Sequence, residues 1–207
     1  GVQAGFPRTT DFNGPQPEGF GRYDFTIAGG ERWSSARAFL DPAKSRPNLT
    51  IVTHAQATRI VVEGGRAVAI EALVRGRATA FRCGGEIIVS GGTVNSPSLL
   101  LHSGIGDADQ LTGLGIPVVA DLKGVGRNLQ DHVLVRIEHV CTQPVTLHSM
   151  LRPDRAVLSL AQALLFKTGP ATSFPIEAGA FFRSNPVLDT PDLQSHFLPG
   201  LSSMTLR

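Results

Sequence analysis

The sequence predicts a mixed fold, part α/β and part α+β, and three features predict it. Two apolar runs, 58–63 and 66–71, flank Gly64-Gly65, a dipeptide that accepts the positive φ of a two-residue hairpin turn. An apolar run at 86–90 ends in Gly91-Gly92 and feeds a helical pattern, the strand, glycine turn, helix order of a doubly wound layer. Beyond residue 132, strand-like runs surround one helix, as in an antiparallel sheet carrying helices.

The elements follow in order. Residues 1–30 are rich in Gly, Pro, Asn and Asp and read as loop. Ser34 to Leu40 suits a short serine-capped helix stopped by Asp41-Pro42. Leu49 to Thr53 reads as a short buried strand. The hairpin through Gly64-Gly65 continues, after a turn at Arg75-Gly76-Arg77, into a third strand from Ala78 to Arg82. Glu86 to Ser90 reads as a continuous apolar strand. Ser96-Pro97 then opens a helix through Leu101, because proline's missing N–H costs nothing in a first turn. Val133 to Val140 is strand-like, Arg155 to Phe166 an amphipathic or buried helix, and Glu177–Phe182 and Leu193–Leu198 are strands. A domain boundary is expected near residue 132. There is no internal repeat or low-complexity tract.

Composition narrows the function classes. The chain has 207 residues, 42% of them hydrophobic, enough for one large domain or parts of two. Charged residues make up 17% and the net charge is +2, so no field able to recruit nucleic acid or anionic lipid is expected. No apolar run approaches the roughly 20 residues that cross a bilayer, and a cytoplasmic protein, at most peripheral to a membrane, is the expectation. Gly1 to Phe6 and Ser202 to Arg207 resemble cuts within a longer chain. Cys83 and Cys141 lie far apart without a CxxC or a histidine cluster, so buried thiols are expected rather than a disulfide or zinc site.

The segment Gly92-Thr93-Val94-Asn95-Ser96-Pro97-Ser98-Leu99-Leu100-Leu101-His102-Ser103-Gly104-Ile105-Gly106 matches, position by position, the second sequence signature of the glucose-methanol-choline (GMC) oxidoreductases. Arg46-Pro47-Asn48-Leu49-Thr50, Arg66-Ala67-Val68 and Gly124-Val125-Gly126-Arg127-Asn128-Leu129-Gln130-Asp131-His132 resemble the same family in the same order. Gly1 to Glu18 and Ala43 to Pro47 look most like its bacterial choline dehydrogenases.

The resemblance implies a flavoprotein using FAD that oxidises a small primary alcohol. It implies that residues 43–132 form the interior of a Rossmann-like FAD-binding domain with a β-meander. Residues 133–207 would then belong to a substrate domain with an antiparallel sheet and helices, and residues 1–42 to a loop-rich segment bordering both. The family's GxGxxG fingerprint and its C-terminal histidine segment do not occur in these residues, so the chain by itself is expected not to turn over substrate.

By the same resemblance, the strand end at Ala57 would lie against the adenine through main-chain groups, an ordinary strand residue being the alternative. Ser90, Gly91, Gly92 and Asn95 would line the nucleotide cleft, where glycine lets backbone approach a ligand closely. A tight turn without a ligand remains the alternative at that corner. Alternation puts Glu177, Gly179 and Phe181 on one strand face. In the choline-oxidising branch a carboxylate at the matching position is thought to face a quaternary ammonium, which charge and aromatic faces recognise, with Phe181 and Phe174 contributing. A structural role for Glu177, in an ion pair or at a strand edge, is the alternative.

Asp131-His132 suggests a base with its orienting carboxylate, but neighbours on an extended chain point apart, so packing is the expected role of His132. His54, His102, His139, His148 and His196 show no metal spacing and are read as packing or surface residues. Asn48-Leu49-Thr50 is a glycosylation sequon only by letter. Two other classes stay open: an inactive scaffold or homo-oligomer pairing through exposed sheet edges, and a nucleotide- or flavin-binding module without redox turnover.

Overall fold

The computed structural model describes residues 1–143 and 146–200, without the side chains of His148 and Ser149; the side-chain role expected of His148, and the C-terminal segment from Ser202, lie outside the described residues. The strands are β1 (Gly19–Arg22), β2 (Ile27–Ala28), β3 (Glu31–Arg32), β4 (Ala55–Glu63), β5 (Arg66–Val74), β6 (Arg77–Arg82), β7 (Ile105–Gly106), β8 (Ala120–Asp121), β9 (Ala178–Phe182) and β10 (Leu193–Phe197). The α-helices are α1 (Gly92–His102), α2 (Ala108–Gly113) and α3 (Pro153–Phe166). The fold is mixed, with two antiparallel three-stranded sheets and few helices. The chain divides into two units, one of Pro47–Val135 and one of Gly1–Arg46 with Arg136–Arg207.

In the first of these, β4, β5 and β6 form the expected meander in sequence order. Both turns have two residues at positive φ: Gly64 and Gly65 at 57° and 77°, then Arg75 and Gly76 at 49° and 79°. That is the primed geometry that matches strand twist. The Arg75 N–H donates to the His54 carbonyl at 2.9 Å, which extends the β4–β5 ladder by one pair beyond Ala55 and Val74.

Helix α1 packs on β4. Their joint is Ser103, only 2% exposed, whose hydroxyl accepts from the Ile60 N–H at 2.8 Å and donates to the Leu99 carbonyl at 2.6 Å. Replacing Ser103 with alanine strands a buried amide, which costs about 1–3 kcal/mol. A Ser103→Ala protein should therefore unfold at lower urea, a midpoint unchanged from wild type being the contrary outcome.

Leu111 of α2 is completely buried, the largest side chain that is. Asp107 caps α2, its carboxylate accepting from the Gln110 N–H at 3.1 Å. That bond, aided by Arg127 and Lys123, holds the Asp107 carboxyl below its usual range. Leu111→Ala should destabilise by about 2–5 kcal/mol, the usual cost of a leucine-sized void, readable as a drop in melting temperature.

The second unit is built on the sheet order β1-β9-β10. The stretch 1–30 read as loop therefore contributes two strands, β1 and β2, and its glycines have a different use. A Cβ on Gly19 would lie 2.6 Å from the Pro7 carbonyl oxygen, and one on Gly21 2.7 Å from that of Thr9. These glycines let a second chain segment lie against the strand; they do not turn it. At the far end of the ladder Arg183 donates to the Glu18 carboxylate from Nε at 3.2 Å and approaches it with Nη2 at 2.9 Å, holding that carboxyl below its ordinary range. The short β2–β3 hairpin is closed by the Trp33 indole donating to the Ala28 carbonyl at 3.1 Å, and Arg37 lies 5.2 Å from that ring.

Three expected strands do not form. Leu49–Thr53, Glu86–Ser90 and Val133–Val140 are extended but have no ladder partner among the described residues, and Val133 is 94% and Ile88 82% exposed. An apolar run becomes a strand only where a neighbour accepts its hydrogen bonds. The helix expected from Ser96 begins at Gly92, with Pro97 inside it. The turn at Ala36–Leu40 is a widened helical coil that runs on through Asp41–Ala43 rather than stopping at Pro42. Helix α3 begins two residues before Arg155 and buries none of its side chains, so it is not a core helix among the described residues. Cys141 is exposed and Cys83 half-exposed, against the buried thiols expected.

Candidate functional site

Two features offer chemistry, one in each unit. In the unit of residues 47–135, Ser90, Gly91, Gly92 and Asn95 form an exposed corner where an extended segment meets the start of α1. No side chain caps this helix, so its first N–H groups are presented without a protein oxygen. The end of an eleven-residue helix with such N–H groups suits an anionic group.

Gly92 has φ +85°, and a Cβ there would meet nothing within 4 Å. The open space is what a ligand approaching main chain would need. Gly91 behaves differently: a Cβ on it would lie 3.1 Å from the Asn95 Cβ and 3.2 Å from the Ser96 nitrogen. Its small size serves the helix's own first turn. The corner is therefore chemically suited to a phosphate-bearing nucleotide, and no neighbouring bulk fills it.

Ala57 is exposed on β4, paired with Ala72 just before a register shift that leaves Thr58 as a bulge, with the Thr58 hydroxyl donating to the Glu71 carbonyl at 3.1 Å. β4 is the edge strand of its sheet. Its outer side is taken at Ile60 by Ser103, so the same edge carries Ala57 and the α1 joint.

A groove of about 560 Å³ runs along α1 from its first turn, lined by Val94, Pro97 and Leu101 of α1 together with Leu114, Ile116 and Leu129. It is apolar, and sequence reasoning missed it. The signal was present in the apolar spacing of Val94, Pro97 and Leu101 along the helix.

In the other unit, the register of the β1–β9 ladder decides which side chains share a face. Gly19 lies opposite Phe181, Gly21 opposite Gly179 and Arg22 opposite Ala178. The Tyr23 N–H donates to the Glu177 carbonyl at 2.9 Å, which continues the ladder by one pair beyond the strand. On β10, His196 lies opposite Gly179.

Glu177, Gly179 and Phe181 thus share a face with Tyr23 and His196, as alternation requires. Aromatic rings cover its glycine floor. Phe12 lies 5.0 Å from Tyr23 and 5.2 Å from Phe181, and Tyr23 lies 5.3 Å from His196, centroid to centroid.

Glu177 itself is exposed, and among the described residues no basic side chain forms an ion pair with it. Phe174 stands apart from this face, edge-on to Phe25 at 6.1 Å. His196, read from sequence as packing or surface, belongs to the aromatic group. Asp131 and His132 are both exposed, and the Asp131 carboxylate accepts from the His132 backbone N–H at 2.7 Å, not from the ring. His132 is thus neither a base oriented by that carboxylate nor a packed residue.

Among the described residues no cluster of His, Cys, Asp or Glu could hold a metal ion, and no helix is long and apolar enough to cross a membrane.

The chain is similar to known proteins over most of its length. The sequence model described as GMC oxidoreductase matches residues 1–134. The chain is 49% identical over 198 residues to mitochondrial choline dehydrogenase of Homo sapiens, covering 96% of this chain and 33% of that protein. It is 48% identical over 202 residues to oxygen-dependent choline dehydrogenase of Pseudomonas syringae pv. syringae, covering 96% of this chain and 36% of that one. The chain thus spans about a third of the length of the curated relatives it matches. Among solved structures, formate oxidase of Aspergillus oryzae RIB40 superposes with a TM-score of 0.81 at 21% identity, over 97% of this chain and 39% of that one. A fungal aryl-alcohol oxidase superposes with a TM-score of 0.73 at 25% identity, over 87% of this chain and 32% of that one.

Proposed function

Because the chain belongs to the GMC oxidoreductase family, we propose that the intact protein is an FAD-dependent oxidoreductase acting on the CH–OH group of a small primary alcohol that carries a cationic headgroup. The observation that carries this reading is near-complete alignment, at 47–49% identity, with choline dehydrogenases of a mammal and of bacteria. When bound, FAD supplies the acceptor for a hydride leaving the carbinol carbon, so the alcohol becomes an aldehyde. The hydroxyl proton would go to a base contributed by polypeptide outside these 207 residues.

This chain's own residues have supporting roles. The backbone of Ser90, Gly91 and Gly92, with Asn95, would hold the nucleotide portion at the uncapped end of α1, and main-chain groups at Ala57 would meet its base. The unit of residues 47–135 would then be cofactor-binding and the other unit substrate-binding. Glu177 would balance the substrate's charge, with Phe181 as an apolar wall beside it. A quaternary ammonium has no N–H to donate, so charge and aromatic faces are the chemistry open to it.

The test uses the intact gene product purified with FAD. Bound yellow flavin that bleaches anaerobically on choline, and not on the neutral analogue with a quaternary carbon in place of nitrogen, supports the proposal. Flavin that no alcohol bleaches would make the protein a binding module, and a colourless protein would make it a scaffold.

A further inference from the structure

Tyr23 lies directly across the ladder from Glu177. The register runs from Gly19 opposite Phe181 to Arg22 opposite Ala178, and the Tyr23 N–H to Glu177 carbonyl bond of 2.9 Å adds the next pair. Side chains directly opposite in an antiparallel pair have Cβ atoms about 4.5–5.5 Å apart on one face. The tyrosine ring is therefore the aromatic neighbour that register assigns to the carboxylate.

Its posture is fixed by a hydrogen bond and by packing. The Tyr23 hydroxyl donates to the Ser195 carbonyl at 3.0 Å, two strands away, so the ring leans across β9. It can do so because position 179 is glycine: a Cβ there would coincide with the Tyr23 hydroxyl and the edge of its ring. Phe12 at 5.0 Å and His196 at 5.3 Å pack against the ring.

An aromatic held by packing and a hydrogen bond presents its face without further loss of rotamer freedom on binding. Sequence alternation singles out Glu177, Gly179 and Phe181 and not Tyr23, which is far away along the chain.

We infer that Tyr23 is a specificity-determining residue of this face, its ring, laid over Gly179, being the aromatic surface that a quaternary ammonium headgroup meets beside the Glu177 carboxylate. The inference deepens the proposed function and rests on its reading of Glu177 as the counter-charge. A cation over an aromatic face gains attraction that a neutral group of equal shape does not. The ring should therefore contribute to discrimination between the two.

The experiment measures binding to the intact protein by calorimetry, with tetramethylammonium as the cation probe and the neutral analogue alcohol as the control. Tyr23→Leu, which fills space without a π face, should raise the Kd for tetramethylammonium about fivefold to tenfold and change that of the neutral alcohol less than twofold. Tyr23→Phe, which keeps the face and loses the hydroxyl's bonds to Ser195 and Gln194, should stay within about twofold of wild type for both. Tyr23→Met, unbranched and better at filling irregular space, serves the same comparison if the leucine variant melts early.

Three results overturn the assignment: a non-aromatic variant that keeps the wild-type Kd for tetramethylammonium, equal losses for cation and neutral alcohol, or a phenylalanine variant that loses as much as leucine. Glu177→Gln, measured alongside, separates the two readings. If it loses the cation selectively and Tyr23→Leu does not, only the role of Tyr23 fails; if neither variant discriminates, or wild type binds no tetramethylammonium, the cation reading of the whole face fails with it.

Discussion

Glu177→Gln in the intact protein should weaken a cationic alcohol about tenfold to a hundredfold in kcat/KM while changing its neutral isostere less than threefold. The tenfold to hundredfold range corresponds to about 1.4–2.8 kcal/mol. It follows from the strength of one charge pair at 4–6 Å in a partly desolvated site, about 3–4 kcal/mol at an effective dielectric near 20, less the water that both groups give up. Glutamine keeps the shape of the side chain, removes its charge and exchanges one acceptor oxygen for an amide donor. The comparison between two alcohols of one size therefore isolates electrostatics from packing. Equal losses for both substrates would show that Glu177 holds the strand end and does not read the headgroup.

Gly91→Val should leave the intact protein without flavin, measured as the ratio of flavin absorbance to protein. The cause lies within α1. A Cβ at Gly91 would already stand 3.1 Å from the Asn95 Cβ and 3.2 Å from the Ser96 nitrogen, and the two further methyl groups of valine have nowhere to go. The first turn must then shift, taking with it the N–H groups that the proposed nucleotide site depends on. Gly92→Ala makes a useful companion: its Cβ enters open space, so its effect comes from holding a non-glycine residue at φ +85°. Full flavin occupancy in Gly91→Val would remove this corner from the cofactor site.

The parts of the fold that were legible in the sequence are those whose causes are local. Gly64-Gly65 and Arg75-Gly76 sit between alternating apolar runs, and both turns and all three strands of the meander formed as read. The parts that were not legible depend on distant partners. Leu49–Thr53, Glu86–Ser90 and Val133–Val140 have the composition of strands but no ladder among the described residues, and a sequence pattern carries no statement about whether a neighbour is present.

The reverse error has the same origin. Gly19-Phe20-Gly21 reads as loop, yet it is strand because Ala178–Phe182 lies beside it. The candidate substrate face divides in the same way. Glu177 and Phe181 could be placed together from strand periodicity, whereas Tyr23, Phe12 and His196 join them only through the ladder of β1, β9 and β10. At the nucleotide corner the glycines were legible, but the direction each lost Cβ would take was not, and that direction separates Gly91 from Gly92.

The sheet of β1, β9 and β10 also fixes an order of assembly. Neighbouring strands of the meander are joined by two-residue turns, so each pairing closes a tiny loop and can nucleate within microseconds. Pairing Gly19 with Phe181 must instead bring together the two ends of most of this polypeptide, and closure entropy rises with loop length before any contact compensates it. The hairpins therefore ripen first on the ribosome or after dilution from urea. The surface bearing Glu177 and Tyr23 comes into being only when residues 177–182 return to residues 19–23, which makes it the late-maturing part of this unit.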